Sequence, residues 1–163
     1  MTSHAACPVV VVRGQNWTGA TRPVVVGVDG TEVNEAAIAF AFRAAADRDV
    51  SLVAVHSWWD TFLDPGLDAQ LFRDEDQVYE QELLSERLSG WSEKYPRVKV
   101  RRVVVPDRPA HVLIQHSRQA QLVVAGSRGH GEFTGLVLGS VSNALVHQAA
   151  CPVAIVRAGS STT

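Results

Sequence analysis

Residues 126–142 read Gly126-Ser127-Arg128-Gly129-His130-Gly131 and then Glu132-Phe133-Thr134-Gly135-Leu136-Val137-Leu138-Gly139-Ser140-Val141-Ser142. This glycine-rich run follows the apolar stretch Leu122 to Ala125 and opens onto a helical pattern at Ser140. Glycine lets backbone N–H groups approach an anion closely, and a helix N-terminus adds an oriented partial positive charge of about half a unit. Together these are the parts of a phosphate cradle. The hydroxyls of Ser140 and Ser142 can add donors, and they also suit a helix cap. Arg128 and His130 can pair with phosphates or stay solvated. Glycines also mark tight turns, so composition alone leaves that reading standing beside the first.

Other polar residues divide by context. Asp29 closes the apolar run Pro23 to Val28, where it either satisfies loop amides or meets a ligand. His56 ends a second apolar run, Val50 to His56, and reads as a hydrogen-bonded buried histidine before it reads as a base. His111, His116 and His147 fall on helical patterns without metal spacing. Cys7 and Cys151 each precede a proline and a valine-rich run, which suits small apolar residues at strand entrances better than thiol chemistry. Trp58 and Trp59 either cover a bound base or pack at a domain contact.

The elements that must position these groups alternate. Strands are expected over Pro23 to Val28, Val50 to His56, Val98 to Val105, Leu122 to Ala125 and Val153 to Val156, from their apolar, β-branched character. Helices are expected over Asn34 to Asp47, Gln77 to Tyr95, Pro109 to Gln119 and Ser140 to His147, the first capped through Thr31 and Glu35. Ser57 to Asp76 reads as a long loop. Strands so uniformly apolar need cover on both faces, which gives a doubly wound α/β fold with a mostly parallel sheet. Such sheets bind ligands at the carboxyl ends of their strands, where the strand order reverses.

Composition narrows the partners. The chain has 163 residues, enough for one domain with its own core, and a formal net charge of −2 that offers no general attraction to nucleic acid or anionic membranes. No apolar run approaches the roughly 20 residues of a membrane-spanning helix, and no signal peptide pattern opens the sequence. A cytoplasmic location is the resulting expectation.

The spacing Gly126, two residues, Gly129, nine residues, Gly139-Ser140 resembles the signature of the ATP-binding branch of the universal stress protein family. Val24-Val25-Val26-Gly27-Val28-Asp29-Gly30 resembles that family's first strand and acidic turn, and Leu52 to His56 its second strand. The resemblance implies a five-stranded, Rossmann-like parallel sheet over residues 22–158 that binds ATP with Mg, or another adenine nucleotide. It implies phosphate and ribose contacts from Gly126, Gly129, Gly139, Ser140, Val141 and Ser142. It further implies that Asp29 approaches the ribose or the phosphate-bound metal, that Gly27 and Val28 line the wall, that the Ser57 backbone meets the adenine edge, and that Asp60 is a weaker ribose candidate.

No Lys-Ser or Lys-Thr follows the glycines, and the chain's lysines, Lys94 and Lys99, lie elsewhere, so the run is not a P-loop. Phosphoryl transfer needs positive charge on the γ-phosphoryl group, and from this loop Arg128 or His130 would have to supply it. A nucleotide-dependent stress sensor with slow or no turnover is therefore expected. The alternatives are a slow ATPase or phosphotransferase using Asp29 or Asp60, and an interaction domain that binds no nucleotide.

The N-terminus carries one more pattern. Ala5-Ala6-Cys7-Pro8-Val9-Val10-Val11-Val12-Arg13 nearly repeats Ala149-Ala150-Cys151-Pro152-Val153-Ala154-Ile155-Val156-Arg157. Residues 1–21 accordingly read as a copy of the last strand plus a linker, as in the second half of a tandem protein, and residues 159–163 as a disordered tail. Similar proteins pair last strands across a two-fold axis. The expectation is that Val9 to Val12 pairs antiparallel with Val153 to Val156, in its own chain or in a second copy forming a homodimer.

Overall fold

The computed structural model describes residues 7–12, 21–31, 34–57, 74–127 and 138–157. Arg128, Gly129, His130, Gly131, Asp60, Trp58, Trp59 and the C-terminal tail lie outside them. Six strands and four helices follow in the order β1 (Val9–Val11), β2 (Val24–Val28), α1 (Glu35–Asp47), β3 (Leu52–Ser57), α2 (Asp74–Lys94), β4 (Val100–Val105), α3 (Pro109–Ser117), β5 (Leu122–Gly126), α4 (Ser140–Gln148) and β6 (Val153–Val156). The strands form one sheet in the order β1-β6-β5-β2-β3-β4.

Strands β2 to β6 pair parallel throughout, as their apolar character requires. Side chains alternate between the two faces. Val24, Val26 and Val28 meet Ile38, Ala41 and Phe42 of α1 with Leu84 and Leu88 of α2, while Val25, Val53 and Val55 meet Val112 and Leu113 of α3 with Leu145 of α4. Each face is thus closed by two helices. At one edge, β4 exposes Arg101 and Arg102, charges that discourage pairing with another chain.

At the other edge β1 pairs antiparallel with β6, Val9 opposite Ile155 and Val11 opposite Val153. The sheet therefore has six strands where five were expected, and the copied strand lies on its original within one chain. Two helix starts also differ from expectation. Helix α1 has Asn34 at its N-cap position without a side-chain cap bond, because Thr31 is held by Asp29 instead. Helix α2 begins at Asp74, inside the stretch read as loop, where acidic residues suit a helix N-terminus.

Candidate functional site

In the strand order, β3 and β4 lie to one side of β2 while β5 and β6 lie to the other. The carboxyl ends of β2 and β5 thus flank the point where the order reverses, the place where open α/β sheets take ligands. Val26 pairs with Val124, and continuing that offset by three residues brings Asp29 level with Ser127. On the other flank Val28 pairs with His56, so Ser57 ends beside the same turn. Four of the sequence-selected places, Asp29, Ser57, Gly126-Ser127 and the start of α4, therefore share one edge.

The Asp29 turn is pinned from within. Oδ1 of Asp29 accepts the Thr31 N–H at 2.9 Å and the Thr31 hydroxyl at 2.7 Å. Gly30 has φ +78°, a left-handed conformation that disfavours side chains, and its carbonyl accepts from Nη2 of Arg87 at 2.6 Å. The second carboxylate oxygen of Asp29 has no hydrogen-bond partner among the described residues.

At the other wall, α4 presents its N-terminus. Gly139 sits at the N-cap with its N–H bonded to the Ser127 carbonyl at 2.9 Å, and the first bond within the helix runs from the Asn143 N–H to the Gly139 carbonyl, also 2.9 Å. The N–H groups of Ser140, Val141 and Ser142 are left without helical partners, a preformed set of anion donors. The serine hydroxyls part company. Ser140 is exposed, whereas Ser142 is buried and its hydroxyl donates to the Gly126 carbonyl at 2.5 Å. Ser142 thus ties α4 to the end of β5, and Val141 packs partly into the core on that face. Ser127 is buried, its N–H bonded to the Val156 carbonyl at 2.7 Å.

Gly27 and Val28 serve packing. A Cβ on Gly27 would lie 2.9 Å from Cδ1 of Leu113, so the glycine is what lets α3 come close. The Val28 side chain is in the core beneath α1. The Ser57 hydroxyl donates to the Asp107 carbonyl, joining the ends of β3 and β4. Partial burial works to raise the Asp107 carboxyl, but hydrogen bonds from His111 and the Arg108 N–H, with their positive charge, hold it below its ordinary value. Burial, then the charge of Arg101, likewise hold His116 below the usual histidine range.

Sequence reasoning missed three residues of this corner. Asn34 is 3% exposed, donates Nδ2 to the Gly27 carbonyl at 3.1 Å, and leaves Oδ1 without a partner among the described residues. Glu80 and Arg87, two turns apart on α2, reach His56 and Gly30, a convergence that local sequence does not encode. Among the described residues no cluster of three or more histidine, cysteine or acidic side chains could hold a metal ion. A hollow of about 230 Å³ lined by Ala45, Asp49, Lys94 and Arg97 lies at the opposite edge, by the amino ends of β3 and β4.

The universal stress protein family model matches residues 20–157. The chain belongs to that family. A universal stress protein of Mycobacterium tuberculosis (strain H37Rv) is 47% identical over 162 residues, which cover 96% of this chain and 54% of the relative. The chain spans about half the length of the curated relatives it matches, and the tandem arrangement expected from the repeated strand is not shown by them. Among solved structures, universal stress protein UspA from Lactobacillus plantarum has a TM-score of 0.69 at 19% identity, over 84% of this chain and 99% of that one. A universal stress protein from Archaeoglobus fulgidus, in complex with dAMP, has a TM-score of 0.62 at 23% identity, over 85% and 99%. At these identities the likeness is one of fold. Among the described residues no helix is long and apolar enough to cross a membrane.

Proposed function

We propose that this universal stress protein domain binds an adenine nucleotide, ATP with Mg in the first instance, at the crevice between β2 and β5. Its output would be the difference between bound and free states of a stress-response regulator. The observation that carries the reading is that the N–H groups of Ser140, Val141 and Ser142 have no partner among the described residues, on a helix start bonded to Ser127, which is level with the pinned Asp29 turn. Phosphate oxygens suit those donors. Asp29 and its free oxygen suit a ribose hydroxyl or the cation that arrives with the phosphates. The dAMP held by the Archaeoglobus relative adds weight to an adenine nucleotide in particular.

The same geometry favours binding over rapid turnover. Lys94 stacks over Trp91 and Tyr95, and Lys99 precedes β4, so both lysines lie at the edge away from the crevice. Arg87, the described arginine at the Asp29 turn, is committed to a carbonyl. Little described positive charge is left to meet a γ-phosphoryl group in flight.

The test is to denature the purified protein, identify any released nucleotide by mass, and then titrate ATP with Mg and AMP. At a hundredfold over its dissociation constant a true ligand adds about 2.7 kcal/mol to stability. No released nucleotide together with no change in unfolding overturns the proposal. Steady phosphate release that Asp29→Ala abolishes would replace it with the slow ATPase.

A further inference from the structure

His56 uses both of its ring nitrogens in this corner. It is nearly buried, with Nδ1 at 2.8 Å from the Val28 carbonyl and Nε2 at 2.8 Å from Oε2 of Glu80. A carbonyl only accepts, so Nδ1 carries hydrogen. That leaves Nε2 facing a carboxyl group, and the contact is a hydrogen bond only while one proton lies between them, on the ring or on Glu80. Remove that proton and a lone pair meets a carboxylate.

What this contact holds is the start of the Asp29 turn. Val28 immediately precedes Asp29, and Gly30 immediately follows it. Helix α2 reaches both their carbonyls, the first through Glu80 and His56, the second through Arg87. Seven residues apart, Glu80 and Arg87 share one helical face, with the buried Leu84 between them and the buried Leu88 next to Arg87. Among the described residues the ring's hydrogen-bond partners are the Val28 carbonyl from β2 and Glu80 from α2, and the register partner of His56 on β4 is the uncharged Val104. The other charges of the turn are Asp29, engaged by Thr31, and Arg87, while Glu35 of α1 accepts from the Trp91 indole.

We propose that His56 and Glu80 are positioning residues, a proton-dependent latch by which α2 fixes the backbone on either side of Asp29. The consequence for ligand binding rests on the nucleotide reading above; the latch itself does not. Holding the turn orders the ligand wall in advance, and losing the shared proton frees it.

The experiment uses the full chain labelled with ¹⁵N. The His56 ring nitrogens and the exchange protection of the Thr31 amide are followed from about pH 5 to about pH 8, and ATP with Mg is titrated into the same samples. In the wild type, protection of the turn should fall about tenfold as the Nε2 proton signal is lost, the scale of one charge-assisted hydrogen bond. Glu80→Gln should abolish that dependence, because a glutamine N–H can donate to the neutral ring. Glu80→Ala should lower protection at every pH. Neither substitution touches the apolar docking of α2 through Leu84 and Leu88. Identical pH profiles for wild type and Glu80→Gln, or a turn indifferent to pH, overturn the latch even if nucleotide binds. A turn that responds as expected in a protein that binds no adenine nucleotide upholds the latch and overturns the nucleotide reading.

Discussion

Asp29 and Thr31 close a three-residue turn on themselves, one carboxylate oxygen taking both the N–H and the hydroxyl of Thr31. The turn is therefore built before any ligand arrives, and one oxygen remains to meet it. Thr31→Val removes the hydroxyl bond and keeps the shape, at about 0.5–1.5 kcal/mol of stability. Asp29→Asn keeps an acceptor for Thr31 but loses the charge, so it should fold normally and bind ATP with Mg at least tenfold more weakly, on the order of one charged contact. Urea unfolding and ligand titration separate the effects. Equal affinity in Asp29→Asn would remove Asp29 from the site.

Ser140 and Ser142 should behave oppositely despite their shared chemistry and spacing. Ser142→Ala removes the hydrogen bond from a buried hydroxyl to the part-buried Gly126 carbonyl and should cost about 1–3 kcal/mol of stability. Ser140→Ala, at an exposed hydroxyl, should leave stability within about 0.5 kcal/mol and weaken nucleotide binding by about 1.5–3 kcal/mol if the hydroxyl donates to phosphate. Measuring unfolding and binding on both variants tests the division, and a destabilised Ser140→Ala with unchanged affinity would reduce that serine to a cap.

That contrast also marks how far the sequence could be read. The five parallel strands were legible because runs such as Val24 to Val28 are buried on both faces, and apolarity without alternation has few other outlets. The nearness of Asp29 to Ser127 was implied by the family resemblance alone, because nothing local in the sequence makes β2 and β5 neighbours; it rests on their parallel pairing in the sheet. What stayed hidden depends on contacts between distant segments. Nothing local tells that Ser142 bonds back to Gly126, that Gly27 makes room for Leu113, or that Glu80 finds His56 from a helix 24 residues away. The start of α2 was misplaced for a related reason: acidic residues such as Asp74 and Asp76 look like loop until the helix whose N-terminus they suit is known.

Gly27→Ala tests the packing role directly. Its Cβ would fall 2.9 Å from Cδ1 of Leu113, so α3 or the leucine must move, with an overpacking cost of about 1–3 kcal/mol. Leu113→Val in the same chain opens space and should recover part of that loss, a coupling readable from a double-mutant cycle. Additive destabilisation would show that the crowding is relieved elsewhere.

Cys151 should be chemically silent. Its thiol is buried, and burial pushes its pKa up to about 12, against smaller lowering effects from the Val123 backbone and Arg22. Native protein treated with an alkylating agent at mildly alkaline pH should take one label, at the exposed Cys7, and a second only on unfolding. The linkage has a definite sign. Between about 9 and about 12 the unfolded chain gives up the thiol proton while the folded chain keeps it, so the Cys151 contribution is intact below that window and lost across it as pH rises. Cys151→Ala should flatten this alkaline limb of stability; an unchanged slope would place its origin elsewhere.

The edge formed by β1 and β6 is the place to test for association of the chain with a second copy. Val9 to Val11 covers the open side of β6, and β1 in turn exposes Val10 at 47%, with Val12 beyond it at 64%. A three-residue strand is a light cover: few hydrogen bonds hold it, and it contributes little buried area. Deleting residues 1–14 would leave Val153 to Val156 with an unpaired backbone edge, fully apolar and β-branched apart from Ala154, the kind of edge that recruits another strand. The nearest suitable strand is the same one in a second copy, running antiparallel across a two-fold axis. The deletion variant should therefore show a larger mass in sedimentation or light scattering, concentration-dependent, or else lose solubility, while the other five strands keep their helical cover. Replacing Val11 by Pro in the full chain should move it the same way: Val11 lies opposite Val153, whose backbone groups face β1 because those of Pro152 and Val156 face β5, so the proline removes a donor of the β1–β6 ladder. If both variants retain the parent's mass, solubility and melting temperature, β1 is a passive passenger on that edge.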